Sequence, residues 1–469
     1  MRTDGIPVRQ RVLGMALGGA VGDALGAPFE FGPAGQFSNH FPTARFGSST
    51  EMVGGGPFGW AEGEFTDDTQ MALTLADSLR RRGQLDRWDV WQNWVRWAES
   101  APDVGATTAR GLMGVAPGEN AANTFSAGSR AGGNGALMRT YPVALFGYGQ
   151  NLSLLQVMKL ASRQALLTHG DTSACWAPGF FAGVLYCVLN DIDVSTAESQ
   201  SFDLVPEDAK GPLAAAIDSS YEPGSLTLSN GSAWGCLADA FWAVRSADSF
   251  AGALVSAIDV GGDTDTVACV TGALAGSIYG VQAIPARWAN AVNGWAIVGA
   301  SGSSEVGRFG RADLGALACE LAGVEVKRSS VHESAAGPTE VAPGLYAASL
   351  PGARKADKRF AVVSLCVTGD TFSNFARHRE FFLIDDVGDV NPQLDVVVEE
   401  AVATIEAFRS EGFDVLVHCH GGRSRTGLVL AAWRRATTGT DTGAACAWVE
   451  EVWPRVSWWN NDFVRWLRG

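Results

Sequence analysis

The sequence predicts a multidomain chain in which an all-α N-terminal domain precedes an α/β C-terminal domain. Residues 1–322 are rich in Ala, Gly and Leu, and their apolar residues recur at helical spacing with little strand-like alternation. From residue 338 onward, predicted strands and helices alternate, which is typical of an α/β sandwich. The stretch 323–337 is polar and lacks periodic apolar residues, so we predict a linker there. The 469 residues allow two or three domains, which fits domains at 1–322 and 338–469.

Composition and charge exclude several classes of protein. With 46% hydrophobic and 18% charged residues, the chain is not mainly disordered. A formal charge of -15 argues against general nucleic-acid binding, and no apolar run reaches the length of a membrane span. The eight cysteines are spread singly, as in proteins of a reducing compartment, so we predict a cytoplasmic protein without a membrane partner. The apolar run from Val12 to Gly22 imitates a secretory signal, but Asp23 and Glu30 lie where a processing site would be.

Two short acidic motifs stand out in the helical domain. The motif from Thr66 to Thr69 (TDDT) precedes a predicted helix, and the motif from Asp263 to Thr266 (DTDT) precedes another. Helix capping explains many such motifs. Clustered carboxylates and hydroxyls, however, suit a hard cation such as Mg²⁺ or Mn²⁺. Two such helix ends, if they met, would hold two cations.

A stripe of four tryptophans predicts a further helix in this domain. The four recur at three-residue spacing, which places them close together along one helix face: Trp88, Trp91, Trp94 and Trp97. We interpret the stripe as a core or helix-packing face rather than a ligand site.

Five segments of the helical domain, in order, resemble the ADP-ribosylglycohydrolase family, which includes the dinitrogenase reductase-activating glycohydrolases. They lie within about residues 8–322 and comprise Gly14 to Glu30, Phe65 to Gln70, Gly133 to Arg139, Thr168-His169, and Gly261 to Thr266. The resemblance implies an all-helical fold with a binuclear magnesium or manganese centre. The ligands that it implies are Thr66, Asp67, Asp68, Asp263, Asp265 and Thr266.

The remaining segments fit the ADP-ribose part of a substrate. The Gly-rich loop contributes Ser129, Gly132, Gly133, Asn134 and Gly135, whose backbone can approach a diphosphate closely. His169 would contact phosphate or ribose, although a lone histidine is also commonly structural. Glu30 looks like the family's gating and catalytic glutamate. Which carboxylate handles the proton stays open among Asp67, Asp68 and Glu30.

In the α/β domain, a loop between a predicted strand and a predicted helix carries a second candidate site. Predicted strands cover 360–367, 381–384 and 414–418, and predicted helices cover 396–408 and 427–435. The loop from His418 to Gly427 (HCHGGRSRTG) lets backbone N–H groups converge on an anion at a helix N-terminus. Cys419 would serve as a thiolate nucleophile, and Arg425 would hold two phosphate oxygens. The same loop supplies His420, Gly421, Gly422, Arg423, Ser424 and Thr426.

This segment resembles the cysteine-dependent protein phosphatases, close to the dual-specificity group, over roughly residues 338–469. The resemblance includes Val341 to Ala347, which looks like the family's first strand and turn. It implies that Cys419 is the nucleophile and Arg425 the phosphate-binding arginine. A general acid is expected on a loop about thirty residues upstream. Spacing to Cys419 favours Asp386, with Asp385 and Asp389 as alternatives.

We therefore predict a bifunctional hydrolase with two Mg²⁺ or Mn²⁺ ions in the helical domain and no cofactor in the phosphatase-like domain. The helical domain would remove ADP-ribose from an ADP-ribosylated protein or small molecule. The α/β domain would hydrolyse the phosphoester of a phosphorylated substrate through a phosphocysteine intermediate. Two alternatives are an α/β domain that only binds phosphate, and a non-enzymatic ADP-ribose-binding protein. The sequence leaves the acceptor open among arginine, serine, a base and a metabolite.

Overall fold

The computed structural model describes residues 5–121, 132–225, 229–325, 335–386, 388 and 390–469. The chain divides into two compact units. The helical unit comprises Met1–Pro42, Met52–Ile284 and Ala291–Val326, and the α/β unit comprises Thr43–Glu51, Pro285–Asn290 and Lys327–Gly469. Two short stretches within the predicted first domain, 43–51 and 285–290, therefore belong to the α/β unit. Most of the predicted linker, 326–334, lies outside the described residues.

The helical unit is built almost entirely from helices, as predicted. Its α-helices within the described residues are α1 Val8–Gly26, α2 Gln36–His40, α3 Asp67–Arg82, α4 Arg87–Ala98, α5 Ala106–Leu112, α6 Tyr141–Gly149, α7 Leu154–Ala165, α8 Thr172–Leu189, α9 Val194–Asp203, α10 Glu207–Ala216, α11 Ala233–Arg245, α12 Phe250–Asp259 and α13 Thr264–Tyr279, with α15 Arg311–Ala322 after the α14 described below. Short 3₁₀ segments cover Ala27–Phe29, Asn134–Ala136 and Val281–Ala283. An antiparallel hairpin of β1 Asn293–Val298 and β2 Glu305–Gly310 was not predicted.

Glycines allow the backbones of α1 and α13 to touch. Along α1 they recur every fourth residue, so they lie on one face of the helix: Gly14, Gly18, Gly22 and Gly26. A Cβ at Gly22 would overlap the carbonyl oxygen of Ala268, and one at Gly26 would lie 2.5 Å from the carbonyl oxygen of Thr264. Because Gly14 meets Gly276 at the other end, the two helices run antiparallel. The last turn of α1 therefore lies against the first turn of α13.

The prediction that no apolar run reaches the length of a membrane span was wrong for two helical segments. Val8–Phe29 and Thr172–Leu189 are long and apolar enough to cross a membrane by length and composition. Their most apolar windows are 89% and 78% buried inside the protein. A helix that is apolar on all sides is found buried in the core of a large protein as well as in a membrane.

The α/β unit contains a five-stranded sheet with helices, which confirms the predicted class for this part of the chain. The strands are β3 Thr339–Ala342, β4 Leu345–Ser349, β5 Ala361–Ser364, β6 Arg377–Glu380 and β7 Val415–Cys419, in the order β3-β4-β7-β5-β6. Only β3 pairs antiparallel, with β4, and the other pairs are parallel. The helices are α14 Ala286–Ala289, α16 Leu350–Ala353, α17 Leu394–Ser410, α18 Ser424–Thr438, α19 Thr442–Val452 and α20 Asn461–Arg468, with a 3₁₀ segment at Gly369–Phe372.

The strand predicted at 381–384 was misplaced. The structure puts β6 at Arg377–Glu380 instead, and Phe381 follows it. Arg379 and Glu380 are buried in this strand through polar partners, since Arg379 donates to the carbonyl of Gly47 at 3.0 Å and Glu380 accepts from Thr368 at 2.6 Å. A search for apolar runs misses a strand whose buried residues are charged.

A buried polar network joins the stretches 43–51 and 285–290 to the rest of the α/β unit. The Glu400 carboxylate on α17 accepts from the backbone N–H of Ala286 at 2.7 Å and of Arg287 at 3.0 Å. The Arg287 guanidinium pairs with Glu400 at 3.1 Å and with Glu51, also at 3.1 Å. All these charged groups are nearly inaccessible to solvent, so each depends on its partner.

Candidate functional site

The two predicted acidic motifs come together because the N-termini of α3 and α13 meet. Asp67 and Asp68 lie in the first turn of α3, and Asp265 lies in the first turn of α13. The hydroxyl of Thr266 lies 3.4 Å from the carboxylate of Asp68, and the hydroxyl of Thr66 lies 3.3 Å from it. The side chains expected from sequence to be cation ligands thus converge on one buried place.

Asp23, near the end of α1, is part of this cluster and was not predicted as a site residue. Its carboxylate accepts from the backbone N–H and hydroxyl of Thr66, at 3.0 and 2.7 Å. It also accepts from the N–H and hydroxyl of Thr69, at 3.0 and 2.5 Å. Asp23 therefore caps α3 from another helix. The signal available in the sequence was a carboxylate within an apolar helix, which costs free energy to bury without partners.

The carboxylates form two triads that share Asp265. Oxygens of Asp23, Asp68 and Asp265 lie within 4.8 Å of one another, and so do oxygens of Glu30, Asp263 and Asp265. In the part of the chain that the structure describes, Asp68 Oδ1 and Glu30 Oε2 are buried without a hydrogen-bond partner. Buried anionic oxygens that lack donors are expected where a cation would bind. The donor set therefore fits two hard divalent cations.

Burial and mutual repulsion make this cluster unfavourable as a group of bare anions. Burial raises the pKa values of Asp67, Asp68 and Asp265 well above the usual range, and neighbouring carboxylates add to the shift. Burial also raises the pKa of Asp23 to about 6, despite the hydrogen bonds that lower it. The pKa of Glu30 rises to about 8, first by burial and then by Asp103, Asp263 and Asp23. Bound protons or cations must offset this charge.

Asp103, in the loop between α4 and α5, is a second carboxylate that the sequence analysis missed. Burial and the charge of Asp263 raise its pKa to about 6. Its charge in turn raises the pKa values of Glu30 and Asp67. Asp103 and Glu30 are only partly buried, so they lie on the side of the cluster that reaches solvent.

The predicted Gly-rich loop connects to the carboxylate cluster through Asn134. Its side-chain amide donates to Asp263 at 2.9 Å and to the carbonyl of Asn230 at 3.0 Å. Gly132 packs against the ring of Trp234, and a Cβ at Gly135 would lie 2.9 Å from the hydroxyl of Thr108. These glycines are therefore required by close packing. Gly133 forms an isolated bridge with Ser232, and the predicted contact residue Ser129 lies outside the described residues.

His169 presents one ring nitrogen to this loop. Its Nδ1 lies 2.8 Å from the hydroxyl of Thr168, whereas Nε2 is buried without a partner among the described residues. A Cβ built at Gly133 or at Gly135 would lie 3.7 Å from Nε2. Burial and the charge of Arg139 lower the pKa of His169 to about 3, so the ring is neutral. The loop and His169 thus form a second, uncharged part of the site.

In the α/β unit, Cys419 ends β7 and the predicted phosphate loop follows it. Leu350 N–H donates to the carbonyl of His420 at 3.0 Å, and the ring N–H of Trp453 donates to the carbonyl of Gly422 at 2.6 Å. Gly422 has a φ of +65°, and a Cβ there would lie 2.6 Å from the carbonyl oxygen of Ala348. A glycine is therefore needed at this position. The loop is fixed at the carboxyl end of the central strand and leads into α18.

Arg425 and Thr426 lie in the first turn of α18, which begins at Ser424, three residues before the predicted helix. Arg425 donates to the carbonyl of Leu383 at 3.0 Å, and its Nε lies 3.6 Å from the carboxylate of Asp385. The buried hydroxyl of Thr426 has no hydrogen-bond partner within the described ranges. Of the other predicted loop residues, Gly421 and Ser424 are buried, and Arg423 is exposed.

The three candidate general acids are placed differently. Asp385 is half-buried beside Arg425, and Asp386 is exposed. Asn460 donates to the carboxylate of Asp385 at 3.3 Å and to the backbone carbonyl of Asp386 at 3.0 Å, which holds this loop. Asp389 lies outside the described residues. The choice of Asp386 stays a prediction, and the structure adds the contact between Asp385 and Arg425.

Comparison with known proteins gives relatives for the helical unit. The ADP-ribosylglycohydrolase family pattern matches residues 4–329. The ADP-ribosyl-[dinitrogen reductase] glycohydrolase of Rhodospirillum rubrum is 32% identical over 292 residues, which cover 61% of this chain and 90% of that protein. ADP-ribosylarginine hydrolase Tri1 of Serratia proteamaculans (strain 568) is 30% identical over 285 residues, which cover 59% of this chain and 73% of that protein.

A solved structure agrees with these matches. A structure described as an ADP-ribosylglycohydrolase-related protein complex is 33% identical, with a TM-score of 0.51. The match covers 67% of this chain and 98% of that one. The family pattern ends at residue 329, before the sheet of the α/β unit begins at β3.

Proposed function

The chain belongs to the ADP-ribosylglycohydrolase family, and we propose that its helical unit removes ADP-ribose from ADP-ribosylated arginine. The observation that carries this proposal is the pair of carboxylate triads that share Asp265. The relatives support the acceptor, because one is named for ADP-ribosylarginine and another for ADP-ribosylated dinitrogen reductase.

The proposed centre holds two Mg²⁺ or Mn²⁺ ions. The ligands would come from Thr66, Asp67, Asp68, Asp263, Asp265 and Thr266, with Asp23 completing one triad. Glu30, in the other triad, is kept for proton transfer. When bound, such cations supply Lewis acidity and a water that is more easily deprotonated. The buried Oδ1 of Asp68 supports this donor set, because no donor among the described residues bonds to it.

In this proposal the protein's own groups orient the ADP-ribose unit and move one proton. The loop at Gly133 to Gly135 and His169 bind the diphosphate side, and Asn134 holds Asp263 in place. In the cation-free protein the pKa of Glu30 is raised to about 8, and this carboxyl group, left uncoordinated, would deliver the proton to the leaving nitrogen. Asp67 and Asp68 are alternatives for this role.

The charge of a partly buried carboxylate supports a cationic acceptor. Asp103 has a pKa of about 6, so it is mostly ionised at neutral pH, and it lies on the solvent side of the cluster, where a guanidinium would approach. Carboxylates form charge-assisted hydrogen bonds with a guanidinium, and a serine hydroxyl offers no such charge. The proposal therefore ranks an arginine acceptor above serine.

A panel of defined acceptors tests this function. The full chain is incubated with peptides that carry ADP-ribose on arginine or on serine, with Mg²⁺ or with EDTA, and released ADP-ribose is measured. We expect release from the arginine peptide with Mg²⁺, loss with EDTA and loss in Asp265→Asn. Asp208→Asn, at an exposed position of α10, is the matched control and should retain activity. ADP-ribose binding without release would identify a binding protein instead.

A second candidate function is phosphoester hydrolysis in the α/β unit. The observation that favours it is the placement of Cys419 at the end of β7 and of Arg425 in the first turn of α18, on either side of one short loop. The Cys419 sulfur would attack phosphorus, the bond to the ester oxygen would break, and Asp386 or Asp385 would protonate that oxygen. Water would then hydrolyse the phosphocysteine and restore the thiolate. Arg425 would bind the phosphoryl oxygens throughout.

Turnover of p-nitrophenyl phosphate in the presence of reductant tests the second function. We expect activity in the full chain, its loss in Cys419→Ser, and its retention in Cys446→Ser, which changes a half-buried cysteine on α19. No turnover by the wild-type chain, together with binding of inorganic phosphate, would support a phosphate-binding module instead.

A further inference from the structure

Arg139 is a fully buried cation whose closest partners are neutral. Its Nε donates to the side-chain carbonyl of Gln164 at 2.9 Å, and its Nη2 donates to the hydroxyl of Thr168 at 2.8 Å. The guanidinium carbon lies 3.9 Å from the ring centroid of Trp94. Burying a charge with no adjacent counter-ion among the described residues is costly in free energy. This cost indicates that the buried Arg139 guanidinium has a role in addition to packing.

The hydrogen bond from Arg139 fixes the direction of the next one. A guanidinium only donates, so the Thr168 oxygen must act as the acceptor. The hydroxyl proton of Thr168 can then be donated to its other neighbour, His169 Nδ1, which lies 2.8 Å from the Thr168 oxygen. If Nδ1 carried a proton, the Thr168 oxygen could accept from it as well, but the buried hydroxyl proton would then lack an acceptor among the described residues. The arrangement that satisfies both groups has Nδ1 as the acceptor, without a proton of its own. In a neutral ring the proton then lies on Nε2.

His169 Nε2 is therefore a donor that faces the Gly-rich loop. The atom is buried and has no acceptor among the residues that the structure describes. A Cβ at Gly133 or at Gly135 would lie 3.7 Å from it, so the loop glycines leave space beside this nitrogen. A buried N–H without an acceptor costs free energy that a ligand oxygen would recover.

We infer that Arg139 and Thr168 are positioning residues that fix His169 as a neutral Nε2–H donor to an acceptor oxygen of the diphosphate in bound ADP-ribose. The inference rests on the proposed function of the helical unit. Phosphate oxygens only accept hydrogen bonds, so they match a nitrogen that only donates. A ring with its proton on Nδ1 would present a lone pair to the same oxygen and repel it.

The electrostatics agree with this geometry. Burial lowers the pKa of Arg139 to about 9, which keeps the guanidinium charged at neutral pH. Burial and that charge lower the pKa of His169 to about 3, which keeps the ring uncharged. Trp94 belongs to the tryptophan stripe of α4, and its ring face attracts the guanidinium. One member of that packing stripe thus also supports the positioning chain.

The tautomer of His169 can be measured in the full chain. The protein has six histidines, so ¹⁵N-histidine labelling gives a spectrum in which His169→Gln assigns one ring. We expect the wild-type His169 ring to carry its proton on Nε2 and to stay neutral from about pH 5 to pH 8. A wild-type ring that carries its proton on Nδ1 would overturn the inference, whatever the variants do.

Variants at Thr168 test the consequence for binding. In saturating Mg²⁺, Thr168→Val should weaken ADP-ribose binding by about tenfold or more, as expected for loss of one hydrogen bond to a charged group. Thr168→Ser keeps the hydroxyl and should restore both the Nε2 tautomer and the affinity. Thr271→Val is the matched control, because among the described residues this buried hydroxyl bonds within its own helix, to the carbonyl of Val267 at 2.7 Å.

Failure of this inference and failure of the proposed function are distinguishable. A folded Thr168→Val protein that keeps the Nε2 tautomer and binds ADP-ribose like wild type would overturn the inference but leave hydrolysis untouched. A wild-type chain that binds ADP-ribose yet releases none from any acceptor would contradict the hydrolase function, while the tautomer and affinities still decide this inference. Absence of ADP-ribose binding by the wild-type chain would overturn both.

Discussion

Gly22 of α1 lies so close to Ala268 of α13 that a Cβ at Gly22 would overlap the carbonyl oxygen of Ala268. Asp23 follows at the next position and caps α3, so this contact sets the distance between Asp23 and Asp265. We predict that Gly22→Ala forces the two helices apart, destabilises the fold by about 2 kcal/mol or more, and weakens cation binding. Thermal unfolding and Mn²⁺ titration calorimetry measure these two effects.

Gly19→Ala is the control for this prediction. Gly19 lies on the same helix, but a Cβ there would meet nothing closer than 3.6 Å. Alanine is favoured over glycine within a helix by up to about 1 kcal/mol, so this variant should be neutral or slightly stabilised. Equal destabilisation by both substitutions would show that close helix contact is not the cause.

Asp23 is predicted to be more important for cation binding than for the fold of the cation-free protein. Asp23→Asn leaves the donors of either Thr66 or Thr69 without their acceptor, but in the cation-free protein the removal of one charge from a set of mutually repelling carboxylates offsets this loss. We expect a small change in melting temperature without cations, and at least about tenfold weaker Mn²⁺ binding because one anionic ligand is lost. Thr69→Ala removes only a hydroxyl partner of Asp23 and should bind Mn²⁺ nearly normally.

The raised pKa values predict an unusual pH dependence of the cation-free helical unit. The folded pKa of Asp23 is about 6, so the folded protein binds more protons than the unfolded chain above pH 4, and stability falls as pH rises. Asp23 contributes roughly 3 kcal/mol to the whole fall, of which roughly 1.5 kcal/mol lies between pH 5 and pH 8, and Glu30 and Asp103 act in the same direction. Urea unfolding in EDTA at pH 5 and pH 8 measures it.

Saturating Mg²⁺ should remove this pH dependence, because the cations replace the bound protons. Binding should therefore release protons, which calorimetry in buffers of different ionisation enthalpy would record. If the cation-free helical unit is as stable at pH 8 as at pH 5, the carboxylates are not the buried, mutually repelling group described above.

Glu400 is predicted to hold the short stretch 285–290 on the α/β unit. Glu400→Ala leaves the N–H groups of Ala286 and Arg287 without their acceptor and removes one of the two carboxylates that pair with Arg287. Breaking a buried ion pair of this kind costs about 3 to 5 kcal/mol. Hydrogen exchange in α17 should accelerate accordingly. Glu399→Ala, at the exposed neighbouring position, should leave exchange unchanged.

The elements with regular apolar patterns could be predicted from sequence, and so could the acidic motifs. The helix at α3, the helix at α13 and the strand β7 were placed by their patterns, and the TDDT and DTDT motifs identified the cluster. Asp23 was missed because its role depends on the tertiary contact between α1 and α3. The strand β6 was misplaced because its buried Arg379 and Glu380 are satisfied by partners distant in sequence, which no local pattern reveals.

The assignment of 43–51 and 285–290 to the α/β unit could not be read from the sequence either. Both stretches lie between elements of the helical unit along the chain, and no composition change marks them. Their place follows from Arg287, Glu51 and Glu400, three charged residues that meet only in the folded state. Long-range ion pairs of this kind leave no periodic signal.

Single-turnover release of ADP-ribose from an arginine-ADP-ribosylated peptide tests the central claim most directly. The full chain is stripped with EDTA, reloaded with Mn²⁺ and mixed in excess with the peptide, and Asp265→Asn is treated in the same way. We predict release only by the reloaded wild-type chain, with two Mn²⁺ bound per chain, because Asp265 belongs to both carboxylate triads. Release at the same rate by the stripped chain, or by Asp265→Asn, would contradict the account.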